Sequence, residues 1–415
     1  MKRDENKRVY DQPGFFASCP KECESLLEKE IRDLGITRVF VEKGGVFFRC
    51  ETDVACKVML QSRIASRVFH EIQVYTIADE KELYSLAKEK WWDKIFDLKQ
   101  TFMIKTLFDI DSKYKFKNSM IFSQLLKDAI VDNFRDKYGE RPSVDTVNPD
   151  ISFLLRIQKK EKGELFNAHI LIDMCGEPLS NRGYRDVGFQ APLRENLAAA
   201  IVMSTDFDPN KDIFIDSMCG SGSILIEAVL IKGKIAPTYL RVRPYVEKKQ
   251  ITFDCLKHPW FINDKKAERL FIQYINEVYS QSIDALQNFE TGQFLGFDIS
   301  EQSLTITRSN LRAAKIPEQI VMLNKRDATK IHGIEDPPGI VICNPPYGER
   351  MGEEEHLKTL YHEYGENLKQ NFKGYRAYIF TSKPDLRKSI SLQTKARIPL
   401  FNGSLECRLL KYELY

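Results

Sequence analysis

From Leu193 onward, short apolar runs alternate with amphipathic stretches, and this alternation most limits what the chain can fold into. "LRENLAAAIVM" has helical spacing, and "KDIFIDSMCGSGSILIEAVLI" reads as strand, turn and helix. "GQFLGFDIS" reads as a strand, "EQSLTITRSNLRAA" as a helix, and "QIVMLNKRDA" and "GIVICNPPYG" as further strands. Strands separated by helices pair in parallel, because each crossover returns the chain to the same end of the sheet. "RAYIFTS" adds a strand, and "ARIPLFNGSLECRLLKYELY", turning at Asn402-Gly403, adds a hairpin that requires an antiparallel strand. Residues 232–290 interrupt the alternation with a mainly helical, aromatic insertion.

The region before this domain has a different grammar. Residues 14–60 form a small α+β pattern: strand "GFFASCP", helix "KECESLLEKEIRDLGI" closed by Gly35, and a hairpin through Gly44-Gly45. Residues 61–175 are a second mixed unit, with strand "TFMIKTLFDID", an amphipathic helix stopped by Gly139, and strand "ELFNAHILIDMCGEPL". Between the first strand and that helix, "SKYKFKNS" alternates Lys113, Lys115 and Lys117 with Tyr114 and Phe116. Cations interleaved with aromatics suit a phosphate backbone and stacked bases. The same alternation also describes an edge strand with its lysines outward.

Three acids mark successive strand ends. Asp216 precedes a Gly220-x-Gly222 turn that opens a helix, Asp298 ends the next strand, and Asp327 follows the third. Ligands of open α/β sheets bind beyond the carboxyl ends of the strands. The turn lacks the Lys-Ser/Thr of a phosphate-gripping loop and the third glycine of a dinucleotide site, and an acid there repels pyrophosphate. It welcomes an ammonium, which points to S-adenosylmethionine. Asp298 can accept bonds from ribose hydroxyls, or it or Ser300 can cap the following helix. Asp327 can accept from an adenine amine or serve as a turn acid.

At the fourth strand end stands "NPPY", Asn344 to Tyr347. The exocyclic amine of a purine is a poor nucleophile, and two acceptors aimed at its N–H groups stabilise positive charge as a methyl group arrives. The Asn344 side-chain oxygen and the Pro345 carbonyl can be those acceptors, held by Pro345 and Pro346, with Tyr347 stacked on a displaced base.

The formal net charge of +3 leaves nucleic-acid binding to local patches. The charged start carries no secretory pattern and no run is long enough to span a bilayer, so a cytoplasmic protein with nine reduced cysteines is expected. The spacings of Cys19 with Cys23 and of Cys50 with Cys56 are wrong for zinc, "YHEYGE" around His362 lacks the second His of a zincin, and no metal is expected.

"DSMCGSG", "GFDIS", "RDA" and "NPPYGER", in this order, resemble the class I amino-methyltransferases. With "KDAIVDNFR", "RPSVD", "PDI", "RGYRD" and "LRENLAAAIVM", the chain is similar to bacterial guanine-N2 methyltransferases of large-subunit ribosomal RNA. The resemblance runs from Gly14 to the terminal hairpin. It implies an α/β, class I methyltransferase Rossmann-like sheet with an antiparallel terminal hairpin, preceded by α+β ferredoxin-like and THUMP domains. The expected limits are 14–60, 61–175 and 176–415, with the insertion at about 232–290 inside the last.

The resemblance further implies methylation of guanine N2 in 23S rRNA, or in a large-subunit precursor, with S-adenosylmethionine as cofactor. No membrane and no obligate protein partner are expected. Asn344, Pro345, Pro346 and Tyr347 would form the reaction site. Asp216, Cys219, Gly220, Ser221, Gly222, Asp298, Asp327, Ala328 and Asn196 would hold the cofactor. Lys113, Lys115, Lys117, Lys127 and Arg141 are candidates for RNA contact in the THUMP region, with Arg182 and Arg185 nearer the catalytic cleft. Two departures stand out: Ser217 follows Asp216 where the family often has proline, and the chain stops at Tyr415, so a second methyltransferase module is not expected. Methylation of tRNA, adenine-N6 methylation of DNA, and an RNA-binding assembly factor without catalysis are the alternatives.

Overall fold

The computed structural model describes residues 12–160, 163–185, 193–289, 293–334, 338–346 and 353–415. Two compact units divide the chain. One holds the segments up to Cys19, Leu27–Leu179 and Pro244–Asn276; the other holds Pro20–Leu26, Ser180–Arg243 and Glu277–Tyr415.

The first unit is built on a mixed seven-stranded sheet. Its strands are β1 (Gly14–Ser18), β2 (Arg38–Glu42), β3 (Gly45–Arg49), β4 (Arg67–Ile77), β5 (Phe102–Phe108), β6 (Ile151–Lys159) and β7 (Phe166–Asp173), in the order β2-β3-β1-β4-β7-β6-β5. β4 pairs with β1 on one side and β7 on the other, so one ladder runs from residue 14 to residue 173. Trp92, Phe96, Phe102, Phe134 and Phe153 pack edge-on or tilted beneath it. The helix Ser119–Tyr138 ends where Gly139 takes φ +75°, a left-handed cap that costs glycine little. Residues 244–276 of the insertion belong to this unit. Trp260 stacks on His70 with 4.5 Å between ring centroids, and the Cys255 N–H donates to the Met174 carbonyl (3.1 Å).

The second unit carries strands β8 (Phe214–Asp216), β9 (Phe294–Asp298), β10 (Val321–Lys325), β11 (Ile340–Cys343), β12 (Arg376–Thr381), β13 (Ala396–Asn402) and β14 (Leu405–Glu413). Their order is β10-β9-β8-β11-β12-β14-β13. The pairs from β10 to β12 are parallel, whereas β14 runs antiparallel to both β12 and β13. The expected parallel sheet with a terminal antiparallel hairpin is therefore present. The strand order reverses direction at β8, and at such a switch the helices on either side leave a crevice above the strand ends. β8 and β11 are wholly buried, and apolar but for Asp216 at the end of β8, as a sheet covered on both faces requires.

All nine cysteines are free thiols and eight are buried. No helix among the described residues is long and apolar enough to cross a membrane.

Candidate active site

Asp216 is the last residue of β8 and Asp298 the last of β9, while Asn344 directly follows β11 and Asp327 stands two residues beyond β10. Asp216 lies in register with Gly296 on one neighbour and Ile342 on the other. Four polar side chains thus leave one edge of the parallel sheet from adjacent strands.

The turn after Asp216 is fixed almost atom by atom. Ser217 N–H donates to the Ile342 carbonyl (2.9 Å) and Cys219 N–H to the Phe297 carbonyl (2.9 Å), tying the turn to both flanking strands. Gly220 N–H donates to Oδ2 of Asp298 (3.0 Å). From the helix Glu301–Ala313, Thr307 Oγ1 donates to the Gly220 carbonyl (2.7 Å) and Asn310 Nδ2 to the Ser221 carbonyl (2.8 Å). The two glycines differ in what they provide. Gly222, at φ +79°, is the N-cap of the helix Ser223–Lys232, and a Cβ there would lie 2.6 Å from Thr307 Cγ2. Gly220, at φ +54°, would present a Cβ to open space, so its backbone is accessible to a ligand. Gly222→Ala is expected to cost about 1–3 kcal/mol through backbone strain alone, read as a lowered thermal midpoint.

Asp298 braces this turn, with its Oδ1 accepting from Ser300 N–H at 2.8 Å. Ser300, not Asp298, caps the following helix, its Oγ accepting from Ser303 N–H (3.2 Å). Each carboxylate oxygen retains a second lone pair, so Asp298 can still receive ribose hydroxyls. Asp327 accepts from the N–H and hydroxyl of Thr329 at 3.0 and 2.8 Å and caps the short turn Ala328–Lys330. Burial disfavours its charge, yet those bonds and nearby Lys330 hold its carboxyl below the ordinary range.

Asp216 is the electrostatic outlier. Only 1% of it is exposed, and burial pushes its carboxyl up to about 8, with the negative charge of Asp298 adding to the effect and the Met218 N–H opposing it. A carboxylate so placed gains most from a cation brought beside it. The Cys219 thiol is buried and pushed well above its ordinary value by burial first and by both acids next, so it is no nucleophile. Ser221 Oγ lies 3.2 Å from Ser223 Oγ, and Asn196 is buried on the helix Glu195–Met203. Asn344 is half-buried, Pro345 buried and Pro346 exposed; Tyr347 lies outside the described residues. Open backbone at Gly220, buried Asp216 and a bonded Asp298 fit a cofactor with an ammonium and a diol. Among the described residues, no group of three or more His, Cys, Asp or Glu could hold a metal ion.

The basic candidates fare differently. Arg182 is fully buried, with Nε 3.3 Å from Glu227 Oε1, to which the Tyr184 hydroxyl also donates (3.3 Å). Its place among RNA contacts is corrected: the guanidinium neutralises a carboxylate inside the core. Arg185 also turns inward, donating to the Leu193 carbonyl and pairing with Glu195 at 3.3 Å, so it anchors the lead-in to the helix Glu195–Met203. "SKYKFKNS" is not an edge strand: Ile110–Lys115 is a helix capped by Asp109. Phe116 is core, with its ring edge-on to Phe122 and Phe166, and so is no stacking platform. Lys113, Lys115, Lys117 and Arg141 are exposed, although Lys115 Nζ donates to the Ala78 carbonyl (2.8 Å); half-buried Lys127 pairs with Asp128 (2.5 Å).

Sequence patterns missed Thr307, Asn310, Tyr364 and Asn367, all nearly or fully buried. Asn367, on the helix Glu353–Asn371, donates to the Ala328 and Ile331 carbonyls, both at 3.0 Å, and holds the turn beyond Asp327. Each pair has i, i+3 spacing on the inward stripe of a helix, where a polar residue needs a buried partner; that signal was available. His362, on the same helix, is exposed.

Residues 182–411 match the family model described as RMKL-like, methyltransferase domain; residues 14–69 match the RlmL ferredoxin-like domain and residues 77–162 the THUMP domain. A ribosomal RNA large subunit methyltransferase K/L of Syntrophotalea carbinolica is 32% identical over 411 residues, covering 96% of this chain and 53% of the relative. The chain spans about half the length of the curated relatives it matches. Among solved structures, SMU.472, a putative methyltransferase complexed with SAH, superposes with TM-score 0.77 at 25% identity, covering 98% of this chain and 99% of that one. A possible methylase from Clostridium difficile 630 gives 0.78 at 26% identity, with coverage of 98% and 99%. Together with acids at neighbouring strand ends and a braced glycine turn, these matches show that the chain belongs to the RMKL-like methyltransferase domain family, with ferredoxin-like and THUMP domains preceding the methyltransferase domain.

Proposed function

We propose that this chain is an S-adenosylmethionine-dependent RNA methyltransferase acting in the cytoplasm, with the exocyclic N2 of a guanine in 23S ribosomal RNA as its acceptor. The observation that carries the proposal is the row of Asp298, Asp216 and Asn344 on the adjacent strand ends of β9, β8 and β11. In this reading a cofactor site and an amine-accepting site stand side by side. The ribosomal RNA methyltransferase relatives and the THUMP match support RNA as substrate. The exposed lysines at 113, 115 and 117, with Arg141, are candidate phosphate contacts. Residues 14–60 are assigned to the ferredoxin-like piece, 61–175 to RNA recognition and 176–415 to the methyltransferase domain, of which 244–276 pack with the N-terminal sheet.

When bound, S-adenosylmethionine supplies an electrophilic methyl group on a sulfonium. The residues of this chain do the rest by placement. Asp216 faces the ammonium end, Gly220 lets the ligand lie against the backbone, and Asp298 accepts from the ribose. Ala328 and Asp327 border the base, and Cys219, Ser221 and Asn196 complete the surroundings. The Asn344 oxygen and the Pro345 carbonyl accept the two N–H bonds of the incoming amine. Their acceptors stabilise charge that develops on nitrogen only as the methyl group arrives, which raises turnover rather than binding. Pro345 and Pro346 restrict φ and keep those acceptors from swinging, and Tyr347 stacks on the base. Most of the rate enhancement then comes from holding amine and methyl in line.

The test is transfer of a radiolabelled methyl group to total RNA, with identification of both the labelled RNA and the modified nucleoside. The expected product is N2-methylguanosine in 23S rRNA. N6-methyladenosine would overturn the guanine assignment, label in tRNA alone the ribosomal one, and binding of RNA without transfer would favour an assembly factor.

A further inference from the structure

Behind the two reacting loops lies a buried polar link that no motif marks. Ser217 is fully buried and its Oγ sits 2.7 Å from the Tyr364 hydroxyl and 3.2 Å from the Ile342 carbonyl. The Ser217 N–H reaches the same carbonyl at 2.9 Å. One assignment of protons satisfies all three contacts: Tyr364 O–H donates to Ser217 Oγ, and Ser217 O–H donates to the Ile342 carbonyl. Ser217 adjoins Asp216, and Ile342 lies two residues before Asn344. Tyr364 comes from the helix Glu353–Asn371, which is held at two further points. Tyr361 donates to Thr381 Oγ1 on β12 (2.9 Å), and Asn367 bonds the turn beyond Asp327.

We propose that Ser217 and Tyr364 are positioning residues, which lock the turn carrying Asp216 to the strand end carrying Asn344 and so set the approach of methyl donor to acceptor amine. The catalytic half of this statement rests on the proposed methyl transfer; the mechanical half does not. Both hydroxyls are buried and engaged with each other and with the Ile342 carbonyl, which assigns these side chains to holding the backbone. A serine backbone at this position contributes an N–H that proline would lack, so the link uses both the main chain and the side chain of one residue. Hydrogen bonds buried in sequence polarise one another and resist distortion, which suits a strut between two loops.

Hydrogen exchange of the full chain with and without S-adenosylmethionine tests the strut. Binding at the Asp216 turn is expected to slow exchange of the Ile342, Cys343 and Asn344 amides by at least about fivefold in the native protein. Ser217→Ala and Tyr364→Phe should each cut that protection to less than about twofold, with cofactor affinity within about threefold, and the double variant should lose no more than either single. Ser217→Thr, which keeps the hydroxyl and the N–H, should retain it. Absence of protection in the native chain, or its persistence in both single variants, would overturn the proposal. If Ser217→Ala fails to fold, Tyr364→Phe, which removes one oxygen, decides alone. In the methyl-transfer assay Tyr364→Phe should lower kcat about tenfold at unchanged KM for S-adenosylmethionine, since misplacement costs rate and not binding. Native protein without methyl transfer would refute the proposed function, while the exchange result still judges the link.

Discussion

Asn344→Ala is expected to lower kcat by about 10²–10³-fold while cofactor affinity stays within about threefold, because the lost acceptor acts on charge that exists only in the transition state. Asn344 follows the buried strand β11, one residue beyond Cys343, and the two prolines after it leave its carbonyl neighbour little freedom. Truncation removes that acceptor from the end of the strand. Asn344→Asp keeps an oxygen at the same place and should retain more turnover than Asn344→Ala. Single-turnover kinetics with saturating cofactor separate the two variants. Equal losses in both, or a loss confined to KM, would contradict an acceptor role for this side chain.

Asp216→Asn should weaken S-adenosylmethionine at neutral pH by more than about tenfold, and at the same time stabilise the protein melted without ligand. The sign follows from burial. The folded-state carboxyl is pushed up to about 8, far above the ordinary value near 3.9. Its favourable contribution to stability is thus complete below about pH 4 and is lost as pH rises through about 8. The difference in melting temperature between Asp216→Asn and the native chain should accordingly grow from pH 5 to pH 8.5, with the variant the more stable. Across the same range a cationic ligand favours the carboxylate, so binding below pH 8 releases a proton and native affinity rises from pH 6 to 7.5. In Asp216→Asn that slope should vanish. Calorimetry at three pH values, paired with thermal melts, checks both effects; a variant that binds as tightly as the native chain would remove Asp216 from the cofactor site.

Much of the catalytic unit was legible because its signals are local. A buried parallel strand must be an apolar run, a βα turn that opens a helix without a side-chain cap favours glycine, and an acid at a strand end is visible in a few residues. The Gly220-x-Gly222 turn, Asp298 and the terminal hairpin were therefore readable within windows of about ten residues, although the hairpin turns at Gly403-Ser404, one residue later than expected. The edge-strand alternative for "SKYKFKNS" fails because Asp109 caps a helical turn there and Phe116 finds a pocket between Phe122 and Phe166. One wall of that pocket, Phe166, lies far along the chain on β7, and period alone cannot contain it.

The same distinction separates the acids from the cations. An acid at a strand end stays at that edge whatever surrounds it, so its position could be inferred before its contacts were known. Whether an arginine meets solvent or a carboxylate depends on which helix packs over it. Arg182 meets Glu227, 45 residues away, and is lost to the surface. Ser217 meets Tyr364, 147 residues away, through a hydrogen bond that neither neighbourhood announces. Strand, turn and cap preferences are energies of adjacent residues and are written in short words of sequence; ion pairs and buried struts are energies of packing and exist only once the chain has closed on itself.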